Sequence, residues 1–561
     1  MYIRRHSGRF IAVFLAIIFS FLYFSFHLVR IQVFRSESLT KRADSQHSHS
    51  VKIEPARGNI FDRNMRPLGL NLTVYSLYVN PRQMSQKDKQ TAMRQLPALL
   101  GVSESFIRQR LDRKKYFVWL KRKLSFDEMQ KVKALGIPGI AFMKENKRYY
   151  PNNELAAHII GFAGVDNNGL EGLELQFDSY LHGEDGSARI LRDAHQRNLL
   201  IDEGFIPAKD GFHLVLTIDE TIQFIAEKAL EKAFQKSKAV SATIIVMDPH
   251  TGEILALANR PTYNLNEPQH STVESRTNRS IAHVYEPGSV FKIVAASAAL
   301  EENIFKESDV IFCENGQYRV ANHILHDHGS HGNLTFQQVI EQSSNIGTTK
   351  IAQKMGPEIF YKYAKRFRFG QMTGIDLKGE VCGLLKPPRQ WSKTSIGALP
   401  IGHEVTVTPL QLVCALSAIA NDGVYMKPFV VKYIKDSQDQ LIKEFGPQEV
   451  DRVISPTTVE RVRLILEGVV KQGTGKLAQV PGVRVAGKTG TSQKVVGGQY
   501  SHSKFWATFI GFAPVDDPKV VAVVMFDEPK GTYFGGTVAA PVFKEMLADS
   551  LKYLEATSHT F

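Results

Sequence analysis

The 561-residue sequence predicts an α+β protein, an antiparallel sheet covered by helices, preceded by an elongated mixed N-terminal region and one membrane-crossing helix. Three observations predict it. Residues 10–29, FIAVFLAIIFSFLYFSFHLV, carry no formal charge and match the length of one bilayer crossing. From about residue 213 a short strand leads into an amphipathic helix and then two apolar strands. Late in the chain, three further strand-like runs precede a closing helix.

Composition narrows the class. With 43% hydrophobic and 22% charged residues the chain is ordinary globular material. A net charge of +13 favours anionic surfaces such as phospholipid, wall polymer or nucleic acid. No basic–aromatic patch or zinc-type spacing promotes nucleic acid, so that partner is not expected. Three widely spaced cysteines (Cys313, Cys382, Cys414) without a CxxC point to a fold that needs neither disulfides nor structural zinc.

The elements follow in order. Residues 1–9 read as a cytoplasmic tail whose Arg4, Arg5 and Arg9 favour an inside N-terminus, against the opposing Arg30, Arg35, Lys41 and Arg42. No small-x-small cleavage site follows the apolar run, so residues 10–29 read as an uncleaved signal anchor. Residues 30–54 are a polar, histidine-rich stalk, and 55–205 a mixed, non-catalytic platform with strand-like VYSLYV and helix-like KDKQTAMRQLPALL. From 206 onward lies the α+β core. Ile222, Ile225, Ala226, Ala229, Leu230 and Ala233 share one helix face, and strands ATIIV and EILALANR flank a DPHTG turn. VRVAGKTGTSQ, KFWATFIGFAP and KVVAVVMFDE are the later strands, and the closing helix starts with Pro541 at a first-turn position.

Chemistry enters at HVYEPGSVFKIVAASAAL, residues 283–300. Pro287-Gly288 breaks the chain, and Ile293, Val294, Ser297, Ala298 and Leu300 suit a buried helix. Ser289 and Lys292 then share a face one turn apart. Burial disfavours the ammonium, and a neutral amine beside a hydroxyl is a nucleophile with its base. The same Ser-x-x-Lys spacing recurs at Ser38/Lys41 and Ser501/Lys504, so spacing alone decides nothing. Two motifs unique in the chain supply partners: Ser343-Ser344-Asn345 and Lys488-Thr489-Gly490. The first offers a proton relay and a donor–acceptor for a peptide amide. On an edge strand, Lys488 and Thr489 suit a carboxylate, and Gly490 admits a close backbone. The N–H groups of Ser289 and Thr491 make an oxyanion pair. Taken singly, Ser-Ser-Asn also fits a helix cap and Lys-Thr-Gly a strand end.

The ordered set Ser-x-x-Lys, Ser-x-Asn, Lys-Thr-Gly is the signature of penicillin-binding proteins and serine β-lactamases. After its anchor the chain resembles a class B penicillin-binding protein, a peptidoglycan D,D-transpeptidase. RGNIFDRNMRPL (Arg57, Gly58, Asp62, Arg63) and GLEGLELQFDSYLHGEDG (Gly169, Glu171, Gly172, Asp178, Gly183, Gly186) resemble that class's pedestal motifs. Met65 departs from them, standing where glycine is usual. IGHEVTVTPLQLVCALSAIANDGVYMKP and DEPKGTYFGGTVAAPVF are most similar to the division-specific, FtsI type. Neither a class A glycosyltransferase domain nor a C-terminal extension is expected.

The resemblance implies a pedestal over 55–205 and a transpeptidase domain over 206–561. It makes Ser289 the acylated nucleophile, Lys292 its base, Ser343 a proton relay and Asn345 a holder of the donor peptide. Lys488 and Thr489 would grip the donor's carboxylate, Gly490 would shape the strand, and the amides of Ser289 and Thr491 would hold the oxyanion. No metal or cofactor is implied. The implied partners are D-Ala-D-Ala stem peptides, an amine acceptor, β-lactams as covalent inhibitors, and a SEDS-type glycosyltransferase with other divisome membrane proteins. The implied place is the inner membrane, with the catalytic domain in the periplasm. A carboxypeptidase or β-lactamase-like hydrolase, an elongation-specific transpeptidase and a non-enzymatic scaffold all remain open at this point.

Overall fold

The computed structural model describes residues 7–36, 48–192, 198–200, 206–321 and 323–558. Most of the N-terminal tail, and residues 37–47 of the expected stalk, lie outside them. The chain divides into two units: Met1–Ala56 with Gly183–Asp210, and Arg57–His182 with Gly211–Phe561.

In the first unit, Ser7–Val29 is helical and runs into a π-helical turn, Arg30–Phe34. Gly8–Phe34 is long and apolar enough to cross a membrane, and none of it is buried against protein. A helix apolar on all sides and bare of protein needs an apolar surround of another kind, which lipid supplies. Ser48–Ile53, Gly186–Arg192 and Asn198–Leu200 form a three-stranded antiparallel sheet.

In the second unit, a seven-stranded sheet runs Leu441–Glu444, Val431–Lys435, His213–Leu216, Ile60–Phe61, Pro67–Val79, Val118–Leu124, with Ile140–Tyr149 on the other side of Pro67–Val79. It joins strands from both sides of residue 206. VYSLYV lies inside Pro67–Val79, and the expected platform helix is Gln86–Leu100, started by a Ser85–Asp88 capping box. Arg57 ties this region together. Its guanidinium donates to Glu174 and to Asp178, each at 2.6 Å, while Arg148 donates to the second oxygen of Glu174 at 2.6 Å. Asp62 accepts from the amides of Asn64, Arg66 and Glu220, and Arg63 pairs with Glu253. Met65 sits in that turn at φ 64°, the left-handed region where the usual glycine costs nothing.

The rest of this unit is built on a five-stranded antiparallel sheet. Its elements in chain order are α1 (Glu220–Ser237), β1 (Ser241–Met247), β2 (Ile254–Arg260), α2 (Lys292–Glu301), α3 (Asn345–Met355), α4 (Pro409–Ala420), β3 (Ala486–Val496), β4 (Gln499–Ala513), β5 (Val520–Asp527) and α5 (Ala540–Ser558). The strand order is β2-β1-β5-β4-β3, which leaves β3 at the edge. The pleat splits the apolar runs between two faces. Ile244, Val246, Ala522 and Val524 pack with α1 and α5, while Ile245, Met247, Val521 and Val523 pack towards α4. Burial on both faces explains why these strands read as unbroken apolar runs rather than as alternation. Helix α2 is buried from Lys292 to Leu300, so its apolar sequence follows from being enclosed on all sides.

Candidate active site

Ser289 lies in a short 3-10 turn, Gly288–Phe291, and α2 begins at Lys292, so the serine precedes the helix rather than sharing its face. The tighter turn leads into α2 and packs against β3. Ser289 lines a cavity of about 380 Å³ together with Ser343, Thr489 and Thr491. Lys292 is fully buried and donates to the Ser343 carbonyl (2.5 Å), Ser343 Oγ (3.2 Å) and Asn345 Oδ1 (2.8 Å). Burial lowers its pKa to about 7, against the opposing pull of Asp327.

The Ser-x-Asn segment divides its labour. Ser344 is the N-cap of α3, accepting from Gly347 N at 2.9 Å, so the structural role falls on the middle residue. Ser343 sits at φ 59°, in backbone that a serine adopts only at a cost. That conformation points its carbonyl and its hydroxyl at the same lysine. Asn345 also donates to the His326 carbonyl at 2.9 Å.

From the edge strand, Lys488 is fully buried and donates to Ser343 Oγ at 2.9 Å and to the Thr489 carbonyl at 3.1 Å. Burial, and then the charge of Lys292, pushes its pKa well below the ordinary lysine range. Thr489 Oγ1 shares a 2.6 Å hydrogen bond with Thr474 Oγ1, and Thr491 Oγ1 accepts from Gly535 N at 3.1 Å. Gly490 faces the chain itself. A Cβ there would lie 2.9 Å from Val290 Cγ1 and 3.0 Å from the Pro287 carbonyl. The missing side chain therefore lets the Ser289 turn dock on β3, beside whatever room it gives a substrate.

All eight sequence-predicted residues thus converge. Three contributors carried no readable signal. Asp327 accepts from Ser344 Oγ and from the amides of Asn345 and Ile346, holding the turn from an irregular His/Gly-rich loop. His328 lines the cavity, its pKa lowered by burial and by Lys292. Thr474 is brought in where its amide donates to the Glu341 carbonyl at 3.2 Å. Among the described residues no group of three or more His, Cys, Asp or Glu side chains is arranged to hold a metal.

Comparison with known proteins places this geometry. Residues 242–548 match the penicillin binding protein transpeptidase domain, and residues 52–216 the penicillin-binding protein dimerisation domain. Stage V sporulation protein D of Bacillus subtilis is 37% identical over 544 residues, 95% of this chain and 84% of the relative. Peptidoglycan D,D-transpeptidase FtsI of Escherichia coli K12 is 32% identical over 530 residues, 93% and 88%. Among solved structures, penicillin binding protein 3 of Mycobacterium tuberculosis, complexed with aztreonam, superposes with a TM-score of 0.70 at 30% identity. The match covers 90% of this chain and 97% of that one. A buried lysine next to the serine turn, a strained Ser-x-Asn and an edge-strand Lys-Thr-Gly sit in a chain that belongs to the class B penicillin-binding proteins of FtsI type.

Proposed function

We propose that the protein is a serine-type peptidoglycan D,D-transpeptidase, cross-linking stem peptides through an acyl-enzyme. The burial of Lys292, with its pKa near 7, beside the Ser289 turn carries this reading. The amine is uncharged often enough at neutral pH to act as a base. Ser289 Oγ attacks the carbonyl of the penultimate D-alanine, and its proton passes to Lys292. The carbon–nitrogen bond to the terminal D-alanine breaks, and that proton goes on to the leaving amine. The acyl group is then attacked by the amine of a second stem peptide. The ester bond to Ser289 breaks, and the amine's surplus proton returns to Oγ through Lys292 and Ser343. A carboxylate that approaches Lys488 favours its ammonium form, because an opposite charge offsets the cost of burial. With Thr489 it holds the donor's terminal carboxylate, Asn345 holds the donor amide, and the amides of Ser289 and Thr491 hold the oxyanion. Gly490 keeps the strand close to the serine.

Penicillin added to the full chain in detergent should give one persistent covalent adduct by intact mass, absent from Ser289→Ala. An adduct that vanishes while drug is consumed would favour a hydrolase instead. An equal adduct on Ser289→Ala would move the nucleophile elsewhere.

The work site is the division septum, in company with a SEDS-type glycosyltransferase and other divisome membrane proteins. The relatives' texture supports this, and a septal cross-linking defect on depletion tests it. The catalytic domain stands in the periplasm, held by the Gly8–Phe34 helix. Ser36→Cys, in a chain whose exposed Cys382 is replaced by serine, should react with an impermeant thiol reagent from outside intact inner-membrane vesicles of periplasmic orientation. Labelling only from the cytoplasmic side reverses the topology.

A further inference from the structure

Two cavities meet at the Ser343–Asn345 turn, and they differ in their charged lining: Lys476 lines the smaller and Glu404 the larger. The smaller holds Ser289, and its wall residue Ser343 is hydrogen-bonded to two buried lysines. The larger, about 680 Å³, begins at Asn345, and no lysine or arginine lines it. Its ionisable lining is Glu404 with His323, His326, His403, His502 and Tyr500. The imidazoles add hydrogen-bonding groups to this wall, and Glu404 is the one carboxylate among its lining residues.

Glu404 is built into this wall. It sits at φ 58°, a backbone cost of the kind kept at working sites. Its Oε2 accepts from Ser395 Oγ at 2.6 Å, and its amide donates to Glu286 Oε1 at 3.0 Å. A second carboxylate, Glu286, stands behind it, accepting from His403 Nδ1 (2.9 Å) and Tyr500 Oη (3.2 Å). Glu286 is three residues before Ser289. Gly288 N donates to the Gly402 carbonyl at 3.2 Å, and a Cβ on Gly402 (φ 84°) would collide with the Gly288 backbone. The acidic wall is therefore fastened to the turn that carries the reacting serine.

We propose that this cavity docks the acceptor stem peptide, and that Glu404, backed by Glu286, selects its side-chain ammonium. The proposal rests on the transpeptidase reading. That reaction needs a second substrate whose amine reaches the acyl carbonyl while the donor still fills the lysine-flanked cavity. A primary amine of ordinary basicity is an ammonium at neutral pH, and carboxylates in a partly enclosed cavity attract it far more than they would in open water. The donor end carries a carboxylate and belongs on the opposite side. Opposite polarity across one turn keeps each substrate out of the other's place.

The test uses the full chain in detergent, an N-acyl-D-alanyl thioester as donor and two acceptors. One is an L-alanyl-γ-D-glutamyl-diaminopimelate tripeptide, the other an alkoxyamine, which is uncharged at neutral pH. A single penicillin adduct on each variant shows that it is folded. Glu404→Gln should raise the half-saturating tripeptide concentration at least fivefold and leave that of the alkoxyamine within about twofold. Unchanged tripeptide saturation overturns the proposal. An equal loss for both acceptors overturns it too, since that marks a merely structural role. If the unaltered chain forms no acyl-enzyme with the thioester, the transpeptidase reading itself falls, and this inference with it.

Discussion

Lys292 and Lys488 reach the same hydroxyl, Ser343 Oγ, at 3.2 and 2.9 Å. Two ammonium groups that close, both fully buried, repel, so the pair loses a proton more easily than either lysine in water. In the proposed mechanism the base is the unprotonated Lys292, whose pKa is lowered to about 7. Acid therefore removes the active form. The second-order rate of penicillin acylation should fall roughly tenfold per pH unit below about 7 and flatten above it. A profile that stays flat down to about pH 5.5 would show that Lys292 does not titrate as the base. The sequence raised this possibility from apolar neighbours alone. It gave no hint of Ser343 at φ 59° or of Asp327, because both depend on a loop folding back from elsewhere.

At the scale of elements, the site is a junction of three chain ends: the 3-10 turn before α2, the cap of α3 and the edge strand β3. Periodicity predicted the helix and the strand, and glycine-proline punctuation predicted the turn. How closely they approach was not readable, since packing distance is a tertiary quantity. Gly490 is where that distance is set, with Val290 Cγ1 and the Pro287 carbonyl 2.9 and 3.0 Å from the place of a Cβ. Gly490→Ala should push the Ser289 turn off β3 and slow acylation about 10–100-fold. Folding should be little affected, since the strand pairs β4 on its other edge. Acylation by penicillin at the unaltered rate would mean that the turn tolerates the methyl, and that Gly490 serves substrate alone.

At the scale of the whole molecule, the long N-terminal region earns its charged motifs structurally. Glu174 is fully buried between Arg57 and Arg148, 2.6 Å from each. Removing one partner leaves uncompensated charge in a dry environment, which costs about 3–5 kcal/mol. Arg57→Ala should lower the unfolding temperature clearly, while the folded fraction still takes one penicillin at Ser289. An unaltered unfolding temperature would deny this cluster its structural role. The family motif around Arg57 was legible as a string. Its partners at Arg148, Glu174 and Asp178, about 90 to 120 residues away, were legible only as part of another string or not at all. The net charge of +13 suits work beside anionic phospholipid and wall polymer at this same scale.

The sequence by itself determined the apolar anchor segment, the strand and helix periods of the core, and the identity of eight chemically matched residues in three short motifs. These are local properties, carried by side-chain order and spacing. Tertiary structure alone decided which residues meet: two lysines on one serine, a middle serine spent on a cap, a glycine facing its own chain, and an acidic cavity fastened beside Ser289. Those outcomes depend on burial and on contacts between segments far apart in the chain, where desolvation sets the charge states that the chemistry uses.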